Sequence, residues 1–329
     1  MKLLVPLSGG KDSQATLLWA IAKYGVGNII AVFCDVKWEH DWTYAHIQYL
    51  VEKTGVEFIV LSSEKYDGFI DMVKKKKRFP SSKARFCTVE LKTKPMIDYI
   101  LSLEDHVTIF QGIRNDESEE RADMTEECRY FKYYFEPYKS NSILIEKYQN
   151  KPPKTPAQKK EFFEAKVRFF IDGKNDEKYH TYRKKEVFAW CEKYADDVRR
   201  PFIKATANDV ILYSLKRDFV INPLYYKGFS RVGCFPCMYV NLDELAVILD
   251  HFPETFDDIE KYEKELKSTF FRPDKVPERY RSGYDPKTHK KLTIIRDVER
   301  YIKDKNAQTD LFTEPQYSKS CSSGYVVCE

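Results

Sequence analysis

Residues 3–13, Leu3-Leu4-Val5-Pro6-Leu7-Ser8-Gly9-Gly10-Lys11-Asp12-Ser13, decide how this chain is read. The apolar run Leu3, Leu4, Val5 and Leu7 predicts a strand. Leu17, Leu18, Ile21 and Ala22 then recur at helical spacing. Between them, two adjacent glycines let the backbone turn tightly and approach a ligand. The first amides of the following helix lack intrahelical partners, so the turn favours an anion. Ser8 and Ser13 add hydroxyls, and Lys11 adds a mobile positive charge suited to phosphate. The Gly-x-x-x-x-Gly-Lys-Ser/Thr spacing of a Walker A loop is absent.

Outward from this turn, the first half alternates strand and helix. Residues 29–33 predict a second strand ending at Cys34-Asp35, and residues 43–53 a helix. Residues 58–61 predict a third strand, and residues 107–110 a fourth that runs into Gln111-Gly112. This pattern predicts an α/β fold, a doubly wound parallel sheet with ligands at the carboxyl ends of its strands. Residues 1–138 read as a nucleotide-binding domain and 139–185 as a polar insertion with one helix around 157–170. Residues 184–215 read as helical. Residues 186–240 resume the first domain, and 241–329 form a mostly helical region ending in an irregular tail.

Composition narrows the function classes. Of 329 residues, 43% are hydrophobic, enough for a core, and 23 Tyr and 22 Phe promise extensive aromatic packing. With 55 basic and 51 acidic residues, the net charge of +4 implies no strong nucleic-acid field. The run Lys74-Lys75-Lys76-Lys77-Arg78 reads first as a solvated helix end, and second as a contact for an acidic partner or a nucleic-acid backbone. There is no apolar stretch of about 18 residues, hence no membrane partner. The strand begins at once, leaving no room for a signal peptide, so a cytoplasmic location is expected. In that compartment the eight cysteines are expected to be buried, catalytic or metal-bound rather than paired.

Two further constellations carry chemistry. Gly233-Cys234-Phe235-Pro236-Cys237 has Cys-x-x-Cys spacing, which lets two sulfurs reach one zinc or iron–sulfur centre. Cys87, in Arg85-Phe86-Cys87 and upstream of Leu91-Lys92, lies between two cations, a setting expected to favour its thiolate. Directly after the fourth strand, Gly112-Ile113-Arg114-Asn115-Asp116-Glu117-Ser118-Glu119-Glu120-Arg121 offers two arginines for an anionic nucleotide group. Glu117 there could orient an arginine or bind Mg²⁺.

Together these residues resemble the phosphoadenosine phosphosulfate (PAPS) reductase family of the pyrophosphate-loop superfamily. The matches are Ser8–Ser13; Arg85-Phe86-Cys87 through Leu91-Lys92 and Pro95; Gly112-x-Arg114-x-x-Glu117-Ser118-x-x-Arg121; and Asn222-Pro223-Leu224 through Gly228, Arg231, Gly233, Cys234 and Cys237. The resemblance implies a Rossmann-like sheet of the adenine-nucleotide α-hydrolase type. A nucleotide (ATP, or adenylyl sulfate or PAPS) would lie over Ser8, Gly9, Gly10, Lys11, Asp12 and Ser13, with Asp35, Lys92, Gly112, Glu117 and Ser118 nearby. It further implies catalytic roles for Lys11, Asp12, Arg114 and Arg121, with Mg²⁺ offsetting phosphate charge. Cys87, Cys234 and Cys237 would help hold a [4Fe–4S] cluster, with zinc as the alternative.

The chain departs from that pattern in two places. Cluster-bearing reductases have adjacent cysteines where this chain has Phe86-Cys87, so the fourth ligand is open among Cys128, Cys321 and Cys328; Cys191 reads as core. The Glu-Cys-Gly-Ile-His segment of sulfonucleotide reductases is also absent. The intact Ser-Gly-Gly-Lys-Asp-Ser loop is closer to the ATP-using branch. The leading expectation is therefore adenylation with pyrophosphate release in sulfur chemistry, with an unidentified sulfur donor or acceptor. The alternatives are a sulfonucleotide reductase using a tail cysteine, and a catalytically idle nucleotide- or nucleic-acid-binding subunit of a larger complex.

Overall fold

Five strands lie parallel, and one reverses. The computed structural model describes residues 1–81, 84–286 and 289–310. Its main sheet contains β1 (Lys2–Pro6), β2 (Ile29–Cys34), β3 (Glu57–Leu61), β4 (Val107–Phe110), β5 (Glu127–Arg129) and β6 (Asp196–Arg199), in the order β3-β2-β1-β4-β6-β5. The four strands read from the sequence are present and parallel. Their alternation with helices α1 (Lys11–Tyr24), α2 (Asp41–Thr54) and α3 (Phe69–Lys76) gives the expected α/β architecture.

Two expectations need correction. The sheet is mixed rather than wholly parallel, because β5 pairs antiparallel with β6. Residues 184–215 are not one helical stretch: helices Lys184–Cys191 and Ala207–Leu215 flank β6. That strand, Asp-Asp-Val-Arg, hides behind its charges. Asp196 is nonetheless buried, because its carboxylate accepts the Phe131 N–H at 2.7 Å and faces Arg129 at 2.8 Å. The 139–185 segment likewise holds two helices, Asn141–Asn150 and Pro156–Lys166, the second continued by Val167–Ile171, where one was expected.

Strand order reverses between β1 and β4, and the loops leaving these two neighbours flank the crevice where α/β sheets bind ligands. The sheet buries one face on Leu17, Ile47, Leu50 and Phe110, and the other on Met96, Ile97, Ile100, Phe131 and Trp190. A third core joins both ends of the chain: Val36, Met72 and Leu91 pack with Leu245, Phe256, Ile295 and Val298. The C-terminal helices thus share a core with α3 and with the segments that follow β2 and precede β4. The basic run caps α3 and is largely paired, Lys74 with Glu265, Lys75 with Asp71 and Lys76 with Glu90. Those pairs favour the helix-end reading over a nucleic-acid contact. No described helix is long and apolar enough to cross a membrane.

Candidate functional site

The turn after β1 is braced from within by its two serines. Ser13 Oγ donates to Gly10 O at 2.9 Å and accepts the Ser8 N–H at 3.1 Å, while Ser8 Oγ lies 3.2 Å from it. Gly9 has φ +71°, and a Cβ there would come within 2.7 Å of Thr43 Cγ2. Gly112 closes the crevice from the β4 side. A Cβ on it would meet the Asp12 backbone at 2.6 Å, so only glycine lets the two loops lie this close.

Lys11 is 5% exposed, so its charge is held in place rather than mobile in solvent. Its ammonium lies 3.3 Å from Asp12 Oδ2, donates to Ser230 O at 3.3 Å, and sits 5.1 Å from the Tyr225 ring centroid. Burial pulls its pKa below the ordinary value, against the opposing charge of Asp12. Its backbone N–H, the first amide of α1, donates to the Tyr225 hydroxyl at 3.0 Å. Asn222 Nδ2 donates to Gly9 O at 3.2 Å. The segment from Asn222 therefore lies strapped over the phosphate turn.

Arg114 is 4% exposed and bonds Asp12 and Asp116. It does not line the cavity described below, so it braces Asp12 rather than reaching a ligand. Glu117 pairs with Arg121 and accepts the Arg114 N–H at 3.4 Å, leaving it poorly placed for Mg²⁺. Ser118 caps the short helix Glu119–Ala122. Asp35 accepts from the Lys37 N–H at 2.8 Å and the Tyr44 hydroxyl at 2.9 Å at the end of β2, outside the cavity lining.

One cavity of about 350 Å³ gathers the rest. Ser8, Gly10, Lys11, Asp12, Ser13, Gly112, Glu117 and Arg121 form one wall; Cys87, Lys92, Cys234 and Cys237 form the other, and Arg85 and Arg231 line it too. Burial and then the charge of Arg231 push the Arg121 pKa down. Cations crowded in this way are relieved by an anion. The sequence assigned no role to Arg231, Tyr225 or Ser230, although Arg231 falls inside a quoted motif; Tyr225 directly follows Asn-Pro-Leu, the only cue it had.

The thiol wall is tied to the exit of β2. Phe235 N–H donates to Trp38 O at 2.8 Å, Trp38 Nε1 donates to Pro236 O at 3.1 Å, and Glu39 and Cys234 form an antiparallel bridge. Glu39 is a residue the sequence reading missed. Its side chain is 2% exposed, its Oε1 lies 3.7 Å from both Cys234 Sγ and Lys92 Nζ, and its Oε2 has no partner. Burial raises its pKa to about 7. Lys92, facing Cys234 first and then Glu39, Cys34 and Cys237, holds its proton more tightly than usual.

Burial also raises the thiol pKa of Cys234 and, outweighing Arg85, that of Cys87. The expectation that flanking cations favour a Cys87 thiolate is therefore reversed, because desolvation of the thiolate exceeds their attraction. Cys128 lies on β5, where Arg200 Nη2 donates to it at 3.2 Å, away from the cavity lining. Cys321 and Cys328 lie outside the described residues. Soft thiols suit a metal centre. Among the described residues, however, no three Cys, His, Asp or Glu side chains already close round a single ion.

The model of the phosphoadenosine phosphosulfate reductase domain matches residues 2–129 and 124–239. The chain belongs to this family. Within the PAPS reductase family, it is similar to the uncharacterized 37.8 kDa protein in the gpa 5′ region of Escherichia phage 186, at 26% identity over 99% of this chain and 96% of that protein. Two uncharacterized proteins of Methanocaldococcus jannaschii are 26% and 22% identical over 80% and 76% of this chain. This chain spans only 41% and 44% of their lengths. Among solved structures, it is similar to PAPS reductase from Candida auris in a phosphate complex, with TM-score 0.42, 10% identity, and coverage of 72% of this chain and 83% of that one. It is also similar to the U34-tRNA thiolase NcsA from Methanococcus maripaludis with its [4Fe–4S] cluster, with TM-score 0.38, 16% identity, and coverage of 81% and 73%.

Proposed function

We propose that this PAPS reductase family member is an ATP-dependent adenylating enzyme of sulfur-transfer chemistry. The observation that carries this reading is one cavity with two chemically distinct walls, the α1 N-terminus with Lys11 and Arg121 and the three thiols with Lys92, with Arg85 and Arg231 also in its lining. The amides opening α1, with Lys11, Arg121 and Arg231, would receive the β and γ phosphates. An acceptor oxygen attacks the α-phosphorus; its bond to phosphorus forms as the Pα–O bond to the β-phosphate breaks. The electron pair leaves on pyrophosphate, where these cations offset the growing charge. Asp12, gripped by Arg114, keeps the Lys11 ammonium at the turn. Mg²⁺ would arrive on the nucleotide phosphates, since Glu117 is already engaged. Cys87, Cys234 and Cys237 would hold a thiolate-bound centre, a [4Fe–4S] cluster or zinc, whose chemistry is to anchor or donate sulfur.

The test is anaerobic incubation of the full chain with ATP, adenylyl sulfate or PAPS. Pyrophosphate release from ATP, lost in Lys11→Met, is the expected result. Sulfite release from a sulfonucleotide without any ATP turnover would overturn it in favour of a reductase.

A further inference from the structure

The net charge of +4 conceals an uneven division. Residues 139–185 hold 13 Lys and Arg against 6 Asp and Glu, a net +7, so the rest of the chain carries −3. Exposed apolar side chains gather in the same region. Of the 18 large ones exposed among the described residues, eight fall between Met124 and Ile171. Phe163 and Phe170 are each 68% exposed. Large apolar groups left this open on one part of a surface mark an interaction site.

The helix Pro156–Lys166 arranges these groups. Its inner side packs on the helix Asn141–Asn150: Ala165 is buried, Phe162 meets the Tyr148 ring at 5.5 Å between centroids, and the Tyr148 hydroxyl donates to Glu161 at 2.8 Å. Its outer side carries Lys159, Phe163 and Lys166 at i, i+4 and i+7, and the turn Val167–Ile171 adds Phe170. Cation and ring thus alternate, about 4.5 to 6 Å apart along the helix axis. Lys154, Lys159, Lys174 and Lys178 are exposed and have no ion pair among the described residues. The basic run on α3 differs, since Lys74, Lys75 and Lys76 are each paired with a carboxylate.

Unpaired cations favour a polyanion, and rings set between them favour one with flat faces to stack. A second copy of this chain would set +7 against +7, and an acidic peptide would leave the rings without a stacking partner. We propose that the 139–185 insertion docks a nucleic-acid strand with unpaired bases, its phosphates on these lysines and its bases on Phe163 and Phe170. Phosphate contacts supply the affinity, and stacking restricts it to unpaired segments, because a duplex hides the faces of its bases.

The experiment measures fluorescence anisotropy of labelled RNA and DNA strands of mixed sequence, each single-stranded and as its duplex, with the full chain and no ATP. Wild type should bind at least one single strand more tightly than the matching duplex, and the comparison of RNA with DNA identifies the sugar. Affinity should fall with salt at a logarithmic slope of about −3, the release expected for four lysines on a single strand. The double variant Phe163→Ala, Phe170→Ala should weaken binding by about tenfold or more at an unchanged slope and melting temperature. Lys154→Glu with Lys159→Glu should cut the slope by about half. Absence of binding at 50 mM salt, equal affinity for duplex, or unchanged affinity in the phenylalanine variant overturns the proposal. Displacement of the strand by polyglutamate at equal charge concentration overturns it in favour of an acidic protein. A dimer in sedimentation that dissociates in the phenylalanine variant overturns it in favour of a second copy. Because no nucleotide turnover is read, failure here leaves the adenylation reading intact, and failure of that reading leaves this result unchanged.

Discussion

The two walls of the cavity are made by opposite means. The phosphate turn is shaped locally, although Asn222, Tyr225 and Ser230 reach it from afar: Ser8, Gly10 and Ser13 hydrogen-bond to one another, and a glycine at φ +71° sets the bend. The thiol wall is assembled from far-separated segments, the exit of β2, the stretch around Cys87 to Lys92, and residues 234–237, joined by hydrogen bonds spanning up to 198 positions. A local wall tolerates loss of a side chain but not of its backbone geometry. A wall assembled from a distance depends on buried polar groups, each costly to leave alone.

Replacing Lys11 with Met gives the largest expected effect. Met keeps the buried stem against Tyr225 but removes the charge, so pyrophosphate release should fall at least about 100-fold, as when one preorganised donor to a developing charge is lost. The melting temperature should stay near wild type, since only the ammonium's contacts to Asp12, Ser230 and the Tyr225 ring disappear. Wild-type turnover in this variant would mean that the phosphate wall does not act through its cation.

Gly112→Ala tests the backbone instead. Its methyl would press on the Asp12 carbonyl and the Ser13 nitrogen, all within 2.7 Å, so the β4 loop or α1 must move. Overpacking of this kind costs up to about 3 kcal/mol, read as a lower denaturant midpoint with loss of nucleotide binding. Full stability would show that the close approach of the two loops is not needed for the turn.

This contrast also explains what could be read in advance. Strands β1 to β4 and the turn announce themselves because apolar runs and glycines act within a few residues. Lys11, Ser13 and Gly112 could be placed for the same reason. β6 could not, since its burial depends on Asp196 meeting Phe131 and Arg129, more than 60 positions away. Glu39 gave no signal, because a lone glutamate between Trp38 and His40 acquires meaning only when Cys234 arrives beside it. The Cys87 thiolate was misjudged for a related reason: sequence displays the neighbouring charges, Arg85 and Lys92, but not the desolvation that outweighs them.

Desolvation beside the thiol wall has a pH signature at Cys34, whose thiol donates to Lys92 O at 3.6 Å. Burial, against the opposing charge of Lys92, raises its pKa from 9.0 to about 11. The folded chain therefore holds this proton more tightly than the unfolded chain. No penalty arises below pH 9; between pH 9 and 11 the unfolded state ionises first, and stability is lost as pH rises. The loss should reach about 2 kcal/mol after allowing for partial exposure. The difference in denaturant midpoint between wild type and Cys34→Ala should thus be constant up to pH 9 and shrink above it. A difference independent of pH would place Cys34 in a polar setting and weaken the contrast between the walls.

Tyr225 is where the two walls touch, and Tyr225→Phe should give the smallest effect. Its hydroxyl accepts the Lys11 N–H at the position a phosphate oxygen would take, and its segment runs on to Cys234 within nine residues. Removing the hydroxyl leaves the buried N–H without that acceptor, which should cost about 1 kcal/mol in the absence of ligand. Bound pyrophosphate can supply the missing acceptor, so affinity for it should rise by a few-fold as stability falls. Calorimetric titration with inorganic pyrophosphate, paired with denaturant unfolding, reads both quantities on one preparation. Opposite signs for the two changes mean that hydroxyl and anion compete for one amide. Equal losses in both would mean that Tyr225 holds the turn open for its ligand, and that the walls cooperate where this geometry sets them in competition.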